Sequence, residues 1–209
     1  MKYESFELSN ITGGGSFSVP IPENYRDCVR LLQSDYFRVY GKTASLIVIW
    51  FTSIRNHCIK YLLWMRLSAY RRGWLYPLCK LRQEHYGKKF CIDIPPSTKI
   101  GYGFYLGHGF SIVVNRTAVI GNNVNFSQCV TIGSNCGHAA WIGDNVYIGP
   151  NSSVVEDVHI CSDTLIGAGS VVTKSIEPNV TAVGSPCKAI GDNAHPEYIK
   201  NRWKRINNQ

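Results

Sequence analysis

Between residues 94 and 172 an apolar side chain returns at every sixth position with two interruptions. The series is Ile94, Ile100, Leu106, Ile112, then Ile120, Phe126, Ile132, then Ile142, Ile148, Val154, Ile160, Ile166 and Val172. A period of six fits neither a helix at about 3.6 nor a plain half-buried strand at about 2. It fits a chain that turns a corner after each short strand, the mark of a parallel β-helix. With three flat faces to a coil, about eighteen residues complete a turn and each rung stacks about 4.8 Å above the last. The sixth-position side chains then point inward as ladders, and small residues two places earlier, such as Ala140, Ser152, Thr164 and Ser170, suit crowded corners. A β-sandwich would instead call for turn signals roughly every 8 to 12 residues.

Such a coil uses about half of the 209 residues. We divide the chain into a leader (1–22), an α-helical N-terminal region (23–92), the β-helix (93–191) and a basic tail (192–209). The fold class is thus mainly β, a parallel β-helix preceded by helices. The leader holds Gly13-Gly14-Gly15 and Pro20-Ile21-Pro22 without a sustained apolar period, and is expected to be flexible. Its glycines are not followed by the Lys-Ser or Lys-Thr that a phosphate loop requires. Helices are expected over 24–40, 44–72 and 75–86, with Gly41, Gly73 and Pro77 as punctuation. The tail carries Lys200, Arg202, Trp203, Lys204 and Arg205, and is read as a short basic helix or a solvated end.

The net charge of +8 is unevenly placed. Residues 1–92 carry 14 Lys and Arg against 6 acids, whereas residues 93–191 carry 4 against 6. From Arg55 to Lys89 nine basic residues and the single acid Glu84 are interleaved with Tyr61, Trp64, Tyr70, Trp74 and Tyr76. That combination suits an anionic membrane surface. The plainer reading is a helical cap that buries its aromatics on the coil or on sister subunits. No nucleic-acid-binding motif accompanies the charge.

No apolar run is long enough to span a bilayer, and Met1-Lys2-Tyr3-Glu4 lacks the apolar core of a signal peptide. The expectation is a cytoplasmic protein, with peripheral contact at the inner membrane face as the extension of the membrane reading. The eight cysteines contain no CxxC pair and are read as reduced, small buried side chains.

The apolar spacing widens to eight between Ile112 and Ile120 and to ten between Ile132 and Ile142. Extra residues must leave the coil as loops, and loops on a rigid scaffold are where chemistry concentrates. The larger loop contains His138.

The repeat, the stretch Asp93-Ile94-Pro95-Pro96 leading to Gly107-His108, the run Gly167-Ala168-Gly169-Ser170-Val171-Val172 and the closing Gly184-Ser185-Pro186-Cys187-Lys188 resemble the serine acetyltransferase family of left-handed β-helix acyltransferases. The resemblance covers roughly residues 24–190. It implies a left-handed coil, a homotrimer, acetyl-CoA as donor and active sites between neighbouring subunits. An alcohol is a poor nucleophile until its proton is removed, and a histidine, with an unperturbed pKa of about 6.5, can take that proton near neutrality. His108 stands at the family's catalytic histidine, and Asp93 at the aspartate that orients it, the logic of a base held by a third group. Asp93 lies fifteen residues earlier, nearly one coil below, so the two can sit on vertically adjacent rungs. By the same resemblance Gly133, Pro150 and Ala168 contact the cofactor through their backbone, while Lys188 and Lys174 face its phosphates. A backbone N–H in the loop from Gly133 is the candidate oxyanion donor.

Two departures bear on the acceptor. Gly107 stands where the family has an aspartate for the serine amino group, and His138-Ala139 where it has an Arg-His pair for the carboxylate. The pattern, with Asp35-Tyr36-Phe37-Arg38-Val39-Tyr40-Gly41-Lys42 ahead of it, is similar to the branch found in bacterial surface polysaccharide synthesis. The expected reaction is acetyl transfer to a sugar hydroxyl, with Gly107, His138, Gln128 and Asn125 as candidate acceptor contacts. Serine acetylation is the alternative. A metal-dependent lyase of the γ-carbonic-anhydrase type shares the coil, but His108, His138 and His159 lack the close-spaced pair such a site uses, so no metal is expected. A non-catalytic scaffold is the last reading.

Overall fold

The six-residue period becomes three parallel sheets that share one core. The computed structural model describes residues 1–8 and 11–204. The first face stacks β4 (Lys99–Ile100), β7 (Val119–Ile120), β10 (Trp141–Ile142) and β13 (His159–Ile160). The second stacks β5 (Tyr105–Leu106), β8 (Asn125–Phe126), β11 (Tyr147–Ile148), β14 (Leu165–Ile166) and β16 (Val180–Val183), and β17 (Lys188–Asp192) closes it antiparallel. The third stacks β3 (Ile92–Asp93), β6 (Ile112–Val114), β9 (Thr131–Gly133), β12 (Ser153–Val155) and β15 (Val171–Val172).

Register puts like on like. Leu106, Phe126, Ile148 and Ile166 form one inward ladder, and Val114, Ile132, Val154 and Val172 another, all buried. Each such side chain contributes about 1.5–3 kcal/mol on leaving water. The glycine that follows many of them has a steric cause. A Cβ at Gly101 would stand 2.5 Å from the Gly121 carbonyl oxygen of the next rung, inside any real contact distance.

Polar ladders finish the corners. Asn123, Asn145 and Asp163 all adopt left-handed backbone, which Asn and Asp tolerate best after glycine. Asn123 Nδ2 donates to Asn145 Oδ1 at 3.3 Å, and Asn145 Nδ2 to Asp163 Oδ1 at 3.1 Å.

The helical region holds four helices rather than three: α1 (Tyr25–Tyr40), α2 (Leu46–Arg55), α3 (His57–Ser68) and α4 (Tyr76–Phe90). The helix expected over 44–72 breaks at Asn56, whose extended backbone ends α2 while its Oδ1 accepts from the Ile59 N–H at 3.1 Å. A side chain that caps a new helix competes with continuing the old one.

A buried ion pair fastens the helices to the first coil. Arg66 on α3 donates from Nε and Nη2 to the two carboxylate oxygens of Asp35 on α1, at 2.7 and 2.8 Å. It also donates to the carbonyls of Ile100 and Gly101, while the Phe104 N–H donates to Asp35 Oδ1 at 2.8 Å.

The leader, expected to be flexible, is instead a β-hairpin of β1 (Lys2–Glu7) and β2 (Ser16–Ile21). Leu8, Phe17 and Val19 pack with Val119 and Cys161 of the coil, and Phe6 meets Trp141 edge-on. Gly13 and Gly15 supply positive φ at the turn. The apolar alternation is too short to read as a strand until the coil offers it a surface.

The described part of the tail, residues 192–204, forms no α-helix, and most of it is exposed while its backbone docks on the coil. After a 3-10 turn at Pro196–Tyr198 it runs extended along the coil. Arg38 Nε donates to the Lys200 carbonyl at 2.7 Å, Asn125 Nδ2 to the Tyr198 carbonyl at 3.0 Å, and the Trp203 N–H to Asn123 Oδ1 at 2.7 Å. Arg205 lies outside the described residues. No described helix is long and apolar enough to cross a membrane.

Candidate active site

The second face ends its lowest rung at Leu106, and the chain then turns toward the third face through an unusual corner. His108 (φ 63°), Gly109 (φ 46°) and Ser111 (φ 54°) are all left-handed. The corner is buttressed from the helices. His57, the first residue of α3, donates from Nε2 to the His108 carbonyl oxygen at 2.8 Å. Its ring packs on Phe110 and Phe90, with centroids 4.6 and 5.3 Å away. Beside it, a Cβ on Gly109 would stand 2.7 Å from Cys58 Sγ, so the position requires glycine on grounds of space as well as backbone. Burial pushes the Cys58 thiol up to about 11, which keeps it protonated and structural rather than nucleophilic.

The His108 imidazole is exposed and faces a cleft of about 500 Å³, whose lining includes Arg38, Tyr105, Gln128, Tyr147, Pro150 and Lys200. Burial pulls the Arg38 guanidinium down to about 10, still well above neutrality, so it remains a cation. Its donors are spent on the Lys200 and Gly103 carbonyls and on Asn125 Oδ1. Asn125, buried and held by Arg38 and by the Tyr198 carbonyl of the tail, lines the same cleft. Among the described residues no carboxylate lines the cleft.

Four of the residues singled out by sequence stack along one edge of the prism. Above His108 come Gln128, Pro150 and Ala168, one to a rung, joined where the Asn151 N–H donates to the Gln128 carbonyl and the Gly169 N–H to the Pro150 carbonyl. Gly107 lines the same cleft. The edge is continuous from the histidine to Ala168.

The other candidates lie elsewhere. Asp93 is on the rung beneath β6, as spacing requires, but in the third face under Val113, where it opens onto a separate cleft with Lys80, Gln83 and Lys88. Among the described residues His108 and Asp93 make no hydrogen bond. The histidine sits on the corner before that face begins, so coil spacing alone does not bring the two together within this chain.

Gly133 ends β9 at the far edge of the third face, paired with Val155, and Lys174 follows β15 on that same side. Lys188, exposed, opens β17 at the top of the second face. His138 is exposed in the loop after Gly133 and does not reach the His108 cleft. That loop is pinned by Glu156, whose carboxylate accepts from Ser134 Oγ at 3.0 Å and from the Asn135 and Cys136 N–H groups at 3.3 Å. These donors, the Asn135 N–H first, hold the Glu156 carboxyl below the ordinary glutamate range. No group of three or more His, Cys, Asp or Glu among the described residues could hold a metal.

Sequence reasoning missed His57. The capping Asn56 was available as a signal for a helix start, but nothing in the sequence ties residue 57 to residue 108.

The bacterial transferase hexapeptide (six repeats) matches residues 139–174. Serine acetyltransferase 3, mitochondrial, of Arabidopsis thaliana is 40% identical over 124 residues, 57% of this chain and 32% of that protein. The Neisseria gonorrhoeae serine acetyltransferase, solved in complex with serine, superposes with a TM-score of 0.67 at 28% identity, covering 79% of this chain and 70% of that one. A serine acetyltransferase solved in complex with CoA gives 0.64 at 25% identity, covering 78% and 68%. The chain spans about a third to a half of the length of the curated relatives it matches.

Proposed function

Because the chain is a hexapeptide-repeat β-helix protein with serine acetyltransferases among its relatives, we propose that it transfers the acetyl group of acetyl-CoA to a hydroxyl, with His108 as general base. The observation that carries the reading is the exposed His108 at the foot of a continuous edge, on a corner fixed by His57. The imidazole takes the proton of the acceptor hydroxyl as its oxygen attacks the thioester carbonyl. The tetrahedral adduct collapses, the C–S bond breaks, and the imidazolium returns the proton to the leaving thiolate of CoA. Pro150 and Ala168, stacked above His108, present backbone along the path where CoA would lie. Gly133, Lys174 and Lys188 belong to the same reading as contacts on the neighbouring edge and at the top of the stack. A homotrimer is part of it as well, with Asp93 and the Gly133 loop contributing across clefts between copies.

For the acceptor, the relatives favour L-serine, since those named above are serine acetyltransferases and one is solved in complex with serine. The polysaccharide expectation has no support from them. Lys200 in the cleft could meet a serine carboxylate. A neutral sugar hydroxyl stands as a second reading on one observation: none of the described residues that line the cleft is a carboxylate that could meet a serine ammonium group. The test is CoA release from acetyl-CoA by the purified protein with L-serine and, in parallel, a panel of sugars. Serine-stimulated release supports the first reading, and sugar-stimulated release the second. Release no faster than buffer hydrolysis with every acceptor would overturn the activity.

A further inference from the structure

The first two helices after the leader differ in kind. α1 buries one face and exposes a polar one, whereas α2 is turned the wrong way round for a helix in water. Of its ten residues only Ile49 and Ser53 are buried. Taken at about 100° per residue, Leu46, Trp50, Ile54, Ile47 and Phe51 follow one another in a continuous arc that starts beside that buried pair at Leu46 and reaches the opposite side of the helix at Phe51. Ile47, Phe51 and Ile54 are 69%, 65% and 61% exposed. Scattered apolar residues on a surface are ordinary, but a contiguous face of large ones marks an interaction site.

The surroundings of that face say what covers it. Trp50 meets Trp64 of α3 edge-on at 5.8 Å, and the Arg82 guanidinium of α4 lies over the Trp64 ring at 5.9 Å. Lys60 lies over Tyr86 in the same way at 5.6 Å. Lys42 precedes the helix and Arg55 ends it. Between Tyr36 and Gln83 the chain carries nine Lys and Arg and no acid, and apart from Arg38 and Arg66, which are buried, the other seven lie at the surface. A second copy docked face to face would bring these cations against one another. An anionic lipid surface would pair with them, while the apolar arc enters the acyl boundary and the tryptophans sit at headgroup level. At ten residues, about 15 Å, α2 can lie in the interface and cannot span it.

We propose that α2 is an interfacial membrane-docking helix that seats this protein on anionic bilayers through Ile47, Trp50, Phe51 and Ile54. The position has a consequence for the active site. His57, which holds the His108 corner, stands two residues after Arg55, so docking brings the His108 cleft close to the lipid surface. The inference is independent of the acceptor and of acetyl transfer itself.

Flotation with vesicles of phosphatidylcholine containing about 30% phosphatidylglycerol, against phosphatidylcholine alone, tests it. The full chain is expected to float with the anionic vesicles only, and to be released by raising the salt. The triple variant Ile47→Gln, Phe51→Gln, Ile54→Gln is expected to lose at least tenfold in vesicle partitioning. Its oligomeric state by light scattering should be unchanged. Failure of the wild type to float, or undiminished flotation of the variant, overturns the proposal. So does a change of oligomeric state in the variant, which would assign the face to subunit contacts.

Discussion

The Nε2–H of His57 and the carbonyl oxygen of His108 are 2.8 Å apart, although 51 residues separate them in the chain. The bond ties the first turn of α3 to a left-handed corner of the coil, and so ties the aim of one imidazole to the placement of another. His57 touches neither substrate nor cofactor in the reading above. It is a positioning residue.

Replacing it tests that role. His57→Phe keeps a ring against Phe110 and Phe90 but removes the donor. One hydrogen bond is worth about 1 kcal/mol, or about fivefold if it is lost from the transition state alone. We expect kcat for acetyl transfer to fall about fivefold, with KM for acetyl-CoA unchanged. His57→Gln, which can donate again, should recover part of the loss. A packing role alone would show as a lowered melting temperature with kcat intact.

The base itself is best tested by His108→Asn, because asparagine accepts the left-handed backbone of that corner. Loss of a general base costs typically about 10²–10⁴ in rate. Since the side chain is exposed, the melting temperature should hold within a degree or two. Wild-type turnover would remove His108 from the chemistry.

The hexad ladder was legible from sequence because it is a repeat: each inward residue repeats the environment of the one a coil below, and the period survives both insertions. Contacts made once were not legible. The hairpin needs Val119 and Trp141 as a surface before its own alternation has meaning, and the break at Asn56 turns on a single side chain choosing a new helix. In the site, His108, Gln128, Pro150 and Ala168 fell on one edge because they share the repeat's phase. Within this chain Asp93 makes no hydrogen bond to His108, since fifteen residues fall short of a full coil and leave Asp93 under Val113 in the third face while His108 stands on the corner before it.

The Asp35–Arg66 pair is fully buried and satisfied by backbone groups on both sides. Arg66→Ala would leave a carboxylate in the interior without its cation, a change that costs about 3–5 kcal/mol. Urea unfolding should show the loss as a lowered midpoint. The double variant Asp35→Leu, Arg66→Met should recover stability, because it removes both charges.

Glu156 gives the Gly133 loop a pH response. Its folded-state pKa is depressed by the donors of Ser134, Asn135 and Cys136. Its contribution is therefore complete above the ordinary glutamate range and is lost as pH falls through the depressed value. Being only partly buried, it acts on the loop and not on the whole fold. Amide exchange at Asn135 and Cys136, corrected for intrinsic rates, should accelerate over that acid window. In Glu156→Gln it should already be fast at pH 7 and show no such transition.

A stack of in-register parallel rungs is, in its hydrogen bonding, close to a fibril, and an uncovered last rung is a template for the next chain. Here both ends are blunted. The lower rungs meet α1 and β2 and begin directly from α4, while at the top β17 runs antiparallel to β16 and breaks the phase of the second face. The turn at Gly184 that reverses the chain therefore serves as a terminator of growth. It limits the coil to a finite object and leaves lateral contact, along the edges where the cleft lies, as the open direction for assembly.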